Sequence, residues 1–389
     1  MASARSATNP RLLIKSARIA ATIVAARSGR SKKADLFEGP RPGPIPKSQR
    51  PGAMIRIAVD AMGGDHGPRV IIDGALAAAR HLDLGLVLVG PAGILRGELA
   101  RHQDVGRLDI SIVDAPDVIG MSESPRVALR RKRGASIQVA ADAVARGDAA
   151  ALVSAGHTGA TVMAAHAVFG MLPGVDRPAL AATIPSGDRA GVLLDAGANV
   201  ECRPGHLLQF AAMGSVHARV GLGIERPRVG LLSIGEEETK GNELICDAHQ
   251  VLKNSPLNFI GNVEARDVYS GTADVIVCDG FTGNIALKIS EGLVDTIEVL
   301  LDEELSRTFS GRVGSLLSRR AFRRFRRRVD YSEYGGAPLL GVAGVCIIGH
   351  GRSSAKAIRN AVAMAYRFVA SNFIQRVEQE IAAATVPQR

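Results

Sequence analysis

The chain has 389 residues, of which 46% are hydrophobic and 4% aromatic, with 43 glycines and no tryptophan. Such a length holds ample core for one large domain or two smaller ones, and this composition is typical of an α/β protein with many tight turns. Four widely spaced cysteines form no Cys-x-x-Cys pair, which indicates unpaired thiols in a reducing compartment and argues against a zinc site.

The net charge of +10 is unevenly distributed along the chain. Residues 1–53 hold eleven Lys or Arg and two acidic residues, and so contribute +9. Nine arginines and no acidic residue lie between Arg307 and Arg328. Outside these two stretches the charge is −8, because 28 basic residues face 36 acidic ones. An acidic body with one basic patch argues against general nucleic-acid binding.

Residues 1–53 contain no convincing strand or helix and end in a proline-rich run. Their apolar piece, residues 19–26, is too short to span a bilayer. Two interpretations are open. The segment resembles an organellar transit peptide, or translation starts at Met54, one residue before the first strand. We expect the second, with residues 1–53 as a disordered basic extension and residues 54–389 as a single α/β domain.

Alternating apolar residues at 55–60 predict a buried strand at the start of that domain. The strand is followed by Gly63 and Gly64, and Pro68 can begin a helix that extends to Arg80. In an open α/β sheet, ligands bind where strands end and helices begin, so a Gly-Gly turn lets the backbone approach a substrate closely. The alternative is an ordinary tight turn with solvated acidic side chains.

Strands and helices are predicted to alternate along the rest of the chain, which indicates βαβ units. The fold class is therefore α/β, with a mainly parallel sheet in a three-layer α/β/α arrangement. The further predicted strands are residues 84–90, 108–114, 150–154, 179–184, 191–195, 229–233, 259–263, 275–278 and 345–348. The clearest further helices are residues 136–146, residues 204–220, a long one after Cys278 and one that ends near Val377.

Six turns that contain glycine follow predicted strands, and they also carry small hydroxyls, Asn, carboxylates and a few His or Lys. The turns are AMGGD (61–65), SAGHTGA (154–160), DAGAN (195–199), EEETKGNE (236–243), DGFTGN (279–284) and GHG (349–351). Backbone N–H groups in such turns, at helix N-termini, bind anions. We expect all six at the carboxyl edge of one sheet, around a shared pocket for phosphate or an oxyanion.

Several common catalytic motifs are missing from the chain. Without G-x-x-x-x-G-K-[ST], hydrolysis of a nucleotide by a P-loop is unsupported. A dinucleotide site of the Rossmann type is also unsupported, because no G-x-G-x-x-G follows a predicted strand. A serine hydrolase and a zinc protease are equally unsupported, because G-x-S-x-G and H-E-x-x-H are absent. Carboxylates at several strand ends could hold a divalent metal, but no spacing requires one.

Residues 306–329 place apolar side chains at helical spacing and arginines on the opposite face. Gly311 and Gly314 predict a split into two short helices, so we expect a helical hairpin inserted at residues 302–331. A basic amphipathic hairpin is typical of an element that binds a membrane surface or an acidic partner, and the alternative is a dimer interface. The residues expected to make the contact are Arg319, Arg320, Phe322, Arg323, Arg324, Phe325, Arg326 and Arg327.

Taken together, these motifs resemble one family from Met54 to near the C-terminus, the bacterial acyl-carrier-protein:phosphate acyltransferases of phospholipid synthesis (PlsX). The motifs that carry the resemblance are VDAMGGD, RPALAATIP, LLDAGANV, GSV, EEETKGNE, NFIGNVEARD, CDGFTGNIALK, YSEYGGAPLLG and HG. Two positions differ, since the family usually has Asn where this chain has His157 and commonly Lys where it has Ile348. We rest no mechanism on the usual side chain at either position.

The resemblance implies a fold similar to isocitrate dehydrogenases and phosphate acetyltransferases. It implies that acyl-[acyl carrier protein] and inorganic phosphate react to give acyl phosphate and free carrier protein, with no cofactor or metal. It further implies a homodimer in the cytoplasm that contacts the membrane peripherally and passes acyl phosphate to a membrane glycerol-3-phosphate acyltransferase. The partners would be acyl carrier protein and phosphate, and not nucleic acid.

The residue types suggest roles in that reaction, which we state as hypotheses. Lys288 and Lys240 would balance anionic charge. Asn199 and Asn284 would donate hydrogen bonds to the thioester carbonyl. Asp60 and Asp279 would orient the lysines or a catalytic proton. The residues expected to bind phosphate or the oxyanion are Gly63, Gly64, Asp65, Thr158, Gly159, Gly283, Asn284 and His350.

Three other functions remain open from the sequence. A short-chain phosphate acetyltransferase and a decarboxylating dehydrogenase would share the architecture, although no nicotinamide site can be located. A non-catalytic scaffold recruited to membranes would explain the basic hairpin. A scaffold would not require six polar glycine-containing turns.

Overall fold

The computed structural model describes residues 54–187, 189–329 and 335–385. The extension expected at residues 1–53 lies outside this described part, as do the side chains of Arg323, Arg324, Phe325, Arg326 and Arg327. No helix in the described part is long and apolar enough to cross a membrane.

Twelve strands are formed by the described residues. They are β1 (Ile55–Asp60), β2 (Leu84–Gly90), β3 (Ile110–Asp114), β4 (Ala151–Ser154), β5 (Ala179–Leu180), β6 (Ala182–Ser186), β7 (Arg189–Leu194), β8 (Val229–Ser233), β9 (Phe259–Glu264), β10 (Val275–Val277), β11 (Ala337–Leu340) and β12 (Val345–Ile348).

Eleven α-helices accompany these strands in the described residues. They are α1 (Gly67–Ala79), α2 (Ala92–Leu99), α3 (Pro125–Arg131), α4 (Ser136–Ala145), α5 (Thr158–Phe169), α6 (Pro204–Leu222), α7 (Glu243–Lys253), α8 (Gly280–Ser306), α9 (Phe309–Val329), α10 (Ala355–Ala370) and α11 (Phe373–Thr385).

The strands form two sheets. The first has the order β3-β2-β1-β4-β12-β11-β5 and is parallel from β3 to β12, with β11 antiparallel to its neighbours. The second has the order β6-β7-β10-β8-β9 and is parallel except for β6. The α/β fold class with mainly parallel strands is confirmed, but the expectation that all six turns lie at the edge of one sheet is wrong.

The chain passes from one sheet to the other at Ala181. We expected one strand at 179–184, but β5 pairs with β11 of the first sheet while β6 pairs with β7 of the second. The backbone N–H of Ala181 donates to the carbonyl of Pro338, 3.0 Å away. The apolar run in this region has no turn residue, so its sequence carries no signal of the exchange.

Both faces of the first sheet are covered by helices, as a layered fold requires. Ile57 and Val59 of β1 pack in one hydrophobic core, which includes buried residues of α1 and α10. Ala58, between them, packs in a second core with residues of α4 and α5. Successive residues of a strand point to opposite faces, so this alternation places a helical layer on each side.

The basic hairpin differs in detail from the expectation. Helix α8 continues through 302 to Ser306, and α9 begins at Phe309 and is unbroken to Val329. Gly311 and Gly314 therefore lie within α9, and the chain reverses just before it, where α8 and α9 contact each other. An isolated glycine costs a helix only about 1 kcal/mol relative to alanine, which packing can offset.

A buried histidine lies where α6 meets α10. The ring of His217 is 0% exposed and contacts the edge of the Phe368 ring, with centroids 5.5 Å apart. Neither ring nitrogen has a hydrogen-bond partner among the described residues. Burial, aided by the charge of Arg367, lowers the pKa of His217 from 6.5 to about 4.

The contribution of His217 to the free energy of unfolding is expected to fall by about 2 kcal/mol between pH 7 and pH 5. The unfolded chain takes up the proton near the ordinary pKa of 6.5, whereas the folded protein takes it up only near 4. This stabilisation is therefore present above the unfolded pKa and is lost as pH falls through the folded one. Urea unfolding at both pH values measures it. His217→Leu should lose that part of the pH dependence, and an unchanged dependence would contradict the assignment.

Candidate active site

Three of the six turns meet at the carboxyl ends of β1, β4 and β12, which are neighbours in the first sheet. The backbone N–H of Asp65 donates to the carbonyl of Gly351, 2.7 Å away, and that of Gly349 donates to Ser154 at 2.8 Å. The turns AMGGD, SAGHTGA and GHG are thus joined through their backbones. We call these three turns the first cluster.

Asp60 is the buried carboxylate beneath the first cluster, with 1% exposure. The hydroxyl of Ser154 donates to its Oδ2 at 2.7 Å, and the backbone N–H of Met62 donates to its Oδ1 at 3.2 Å. Burial raises the pKa of Asp60 above 3.8, although these hydrogen bonds oppose the effect. Asp60 therefore fixes two turns from below, which is a positioning role.

The backbones of the first cluster approach one another too closely for side chains. A Cβ added to Gly63 would lie 2.5 Å from the backbone nitrogen of Gly156 and 3.0 Å from Oδ2 of Asp60. Gly64 has φ of +94°, a conformation that favours glycine. The Gly-Gly pair is therefore required both for contact between turns and for the path of the chain.

Helix α5 begins within this cluster, with His157 as its N-cap residue and no side-chain cap. The first amides of a helix have no intrahelical acceptor, and the positive end of the helix dipole adds to their attraction for anions. Thr158 is exposed here, and Gly159 is half-buried. Nδ1 of His157 is buried and has no hydrogen-bond partner among the described residues. This end of α5 can bind an anion.

The other three turns follow β7, β8 and β10 of the second sheet, and we call the turns after β7 and β10 the second cluster. Asp195 anchors it and is 0% exposed. Its Oδ1 accepts from the N–H groups of Leu180, Gly197 and Ala198 at 2.9 to 3.1 Å. Its Oδ2 accepts from the backbone and side chain of Asn199 at 2.7 and 2.9 Å. Burial raises the pKa of Asp195, against these hydrogen bonds.

The expected role of Asn199 has to be corrected. Its Nδ2 donates to the carbonyl of Pro178 at 2.6 Å and to Asp195 at 2.9 Å, so both amide hydrogens are used within the protein. Its own carbonyl accepts from the N–H of Gly280 at 2.7 Å. Asn199 therefore joins β7 to α8 and has no hydrogen left for a thioester carbonyl.

Helix α8 begins at the second cluster. Asp279 caps it, because its Oδ1 accepts from the backbone N–H of Thr282 and its Oδ2 from the hydroxyl, both at 2.8 Å. A Cβ on Gly283 would collide with the carbonyl oxygen of Asp195. Asn284 is exposed and lies beside Gly197. A helix cap explains the position of Asp279, and a catalytic role for it stays a prediction.

His350 lies in the first cluster, near charged groups of α8. Burial lowers its pKa from 6.5, and the charges of Glu291 and Lys288 on α8, as well as that of Asp65, also act on it. Helix α8, which starts at the second cluster, therefore passes beside the first. Lys288 is 59% exposed, and its Nζ lies 3.4 Å from Glu291.

Lys240 lies apart from these contacts. It is exposed in the turn after β8, and within the described ranges its ammonium forms no hydrogen bond or ion pair. Its carbonyl accepts from the hydroxyl of Ser233 at 3.0 Å. Lys288 thus lies near His350 of the first cluster, and no contact among the described residues joins Lys240 to either of them.

Two cavities among the described residues lie away from the six turns. A cavity of about 250 Å³ lies at the amino ends of β7, β8 and β10, and an apolar one of about 10 Å³ lies between β11 and α11.

Sequence reasoning missed Asp195, Ser154 and His157 as site residues. Asp195 had a usable signal, because an acidic residue directly after a buried strand is costly unless backbone N–H groups surround it. Ser154 resembled an ordinary strand residue, and only the adjacency of β1 and β4 places it on Asp60.

The α/β fold of this chain is similar to that of phosphotransacetylases. A phosphotransacetylase from Streptococcus pyogenes superposes with a TM-score of 0.56 at 17% identity, over 82% of this chain and 94% of that chain. The EutD phosphotransacetylase of Staphylococcus aureus gives 0.53 at 16% identity, over 81% and 94%. At such identities the likeness concerns the fold alone.

Sequence comparison identifies the family. Residues 55–376 match the family described as fatty acid synthesis protein. The phosphate acyltransferase of Syntrophotalea carbinolica is 51% identical over 83% of this chain and 93% of its own. That of Heliobacterium modesticaldum is 50% identical over 86% and 99%. The chain belongs to this family of phosphate acyltransferases and is an acyltransferase.

Proposed function

We propose that the protein transfers a long-chain acyl group from acyl carrier protein to inorganic phosphate, and that the acyl phosphate supplies phospholipid synthesis. The observation that carries the proposal is the meeting of three glycine-rich turns at the N-terminus of α5, beside the charged groups of α8. Family membership supports the same reaction type.

In the proposed reaction a phosphate oxygen attacks the thioester carbonyl carbon and forms a C–O bond. The tetrahedral oxyanion then collapses, the C–S bond breaks, and the carrier thiolate leaves and takes up a proton. Each well-placed donor to the oxyanion contributes about 3 kcal/mol to the transition state. We assign phosphate to the first amides of α5 and the Gly63–Gly64 turn, with Lys288 and His350 close to the developing charge.

Direct attack by phosphate needs no acyl-enzyme, and the buried cysteines support this. Cys278 and Cys346 are each 1% exposed. Burial raises the pKa of Cys346 to about 12, and burial with nearby carboxylates raises that of Cys278 well above 9.0. Thiols held protonated are poor nucleophiles. We therefore assign both cysteines to packing.

The purified protein is expected to form acyl phosphate from palmitoyl-acyl carrier protein only when inorganic phosphate is present. The measurement is hydroxylamine trapping of acyl phosphate with release of free carrier thiol. Acetyl-CoA as acyl donor distinguishes the short-chain alternative, which would turn it over faster. Thioester loss without phosphate, or no acyl phosphate, would overturn the proposal.

Lys288→Ala tests the role of this lysine in the same assay. Loss of a cation near the reacting phosphate should lower turnover by about a hundredfold. Lys253→Ala is the control, because Lys253 is similarly exposed and pairs with Glu238 in the turn after β8, which belongs to neither cluster. Wild-type rates in Lys288→Ala would remove this lysine from the site.

We propose further that two copies associate through α8. This helix exposes apolar side chains at i, i+4 spacing, and they are Phe281, Ile285, Ile289, Leu293 and Ile297. Residues four apart share one helix face, and a large exposed apolar stripe marks an interaction surface. Sedimentation of a monomer at micromolar concentration would contradict the homodimer.

We also propose a cytoplasmic protein that contacts the membrane peripherally through α9. Phe309 and Leu317 are 84% and 81% exposed, and Arg319 and Arg320 are exposed on the same helix. Cations near an anionic surface contribute about 1 kcal/mol each, which can hold an acidic body there. Flotation with anionic vesicles tests this, and no binding at low salt would contradict it.

A further inference from the structure

The segment before α4 forms one side of the first cluster. Cγ of Pro125, at the start of α3, lies 3.1 Å from where a Cβ on Gly159 would be. Cε of Met121 lies 3.2 Å from the corresponding position on Gly351. Residues 121–133 therefore border the turns to which we assign phosphate.

This border carries a group of exposed arginines, which we call the arginine rim. They are Arg126, Arg130, Arg131 and Arg133. Within the described residues none of the four forms a hydrogen bond or an ion pair. Many other arginines of the body are paired, such as Arg56 with Asp109 and Arg228 with Asp274, both at 2.9 Å. The rim is thus not used to hold the fold together.

Lys132, in the middle of the arginine rim, is paired, unlike the arginines around it. Its Nζ donates to Oε1 of Glu123 at 2.6 Å and to the carbonyl of Val118 at 2.7 Å. This hydrogen bond from Lys132 lowers the pKa of Glu123. Lys132 therefore secures the segment, and the arginines around it point their charge to solvent.

Unpaired arginines close together repel one another, so their position needs a compensating role. Arg126 and Arg130 are four residues apart and share one face of α3. Val127 and Met121, which are 46% and 50% exposed, add apolar surface among them. Arginine around a small apolar centre is typical of a protein interface. An acidic protein surface is the complement of such a patch.

We propose that the arginine rim docks the acidic carrier protein that bears the acyl thioester, and so delivers the thioester to the first cluster. This inference rests on the proposed function. The rim borders the phosphate turns directly, whereas the arginines of α9 lie on the hairpin. The two basic regions therefore take different partners, with the rim binding protein and α9 the lipid surface.

The test is the triple variant Arg126→Glu, Arg131→Glu and Arg133→Glu in the full chain. We expect the KM for acyl carrier protein, and the Kd from titration with holo-carrier protein, to rise by about thirtyfold or more. We expect turnover at saturating carrier protein and the KM for phosphate to stay within about twofold of wild type, because no rim residue is assigned to the chemistry.

The matched control reverses three exposed arginines elsewhere, Arg96, Arg107 and Arg226. Two of them precede the amino ends of β3 and β8, on the edge opposite the turns. This triple Glu variant has the same net charge, so it should bind carrier protein nearly as wild type does if location decides binding. Thermal unfolding of both variants checks the fold.

Four outcomes would overturn the inference. The KM and Kd for carrier protein could be unchanged in the rim variant, or they could rise equally in the control. The KM for phosphate or the saturated turnover could change instead, which would place the rim in the phosphate site. Loss of binding to anionic vesicles with an unchanged Kd for carrier protein would assign the rim to lipid. The titration measures the Kd for carrier protein without turnover, so its result does not depend on whether the proposed reaction takes place.

Discussion

Gly63→Ala is expected to lower the turnover of acyl phosphate formation by about a thousandfold. The new methyl group would lie 2.5 Å from the backbone nitrogen of Gly156 and 3.0 Å from Asp60. These neighbours are backbone and a buried carboxylate, so they cannot move aside as a flexible side chain would. The turns after β1 and β4 must therefore separate, and the groups that bind phosphate lose their alignment.

The measurement is steady-state kinetics together with thermal unfolding. Overpacking of this kind costs about 1–3 kcal/mol of stability, so the variant should still fold. Gly93→Ala is the control, because Gly93 lies in α2 and a Cβ there meets nothing within 4 Å. Turnover of Gly63→Ala within tenfold of wild type would show that the two turns do not act together.

Asp195→Ala is expected to lower the free energy of unfolding by about 4 kcal/mol, which is exceptional for one substitution. The carboxylate accepts four backbone N–H groups, from Leu180, Gly197, Ala198 and Asn199. Without it these donors remain buried, and each unsatisfied one costs about 1–3 kcal/mol before the turn relaxes. Activity should be lost as well, because α8 is held to this turn.

Urea unfolding at pH 7 measures the effect, with Asp279→Ala as the matched control. Asp279 also follows a strand, but it only caps α8 through Thr282. Removing such a cap costs about 1 kcal/mol. Equal losses in the two variants would contradict the distinction between a buried anchor and a surface cap.

Much of the fold could be predicted from the sequence because its patterns are local. The buried strands β2 and β8 have the bounds that their apolar runs indicated. The helix expected to end near Val377 is two helices, separated around Asn372, which has φ of +53°. The division into two sheets was missed because partner choice between strands depends on contacts far apart in the sequence.

The types of turn that form the candidate site could be predicted from the sequence, but their arrangement could not. The glycine-rich turns were recognised, since glycine clustered with small polar residues between two periodic segments marks a loop. The roles of the individual polar side chains were not recognised from the sequence. Asn199 and Asp195 are four residues apart, and only the fold shows that one satisfies the other, which removes Asn199 from contact with substrate.

The exchange of sheets at Ala181 has a consequence for how the enzyme can diversify. The backbone N–H of Leu180 donates to the Asp195 carboxylate and its carbonyl accepts from the N–H of Ala196, so one side-chain and one main-chain bond tie the exchange point to the turn after β7. The position of the second cluster relative to β5 therefore depends on peptide geometry and on the Asp195 carboxylate. Side chains elsewhere in the chain can therefore vary without moving this turn.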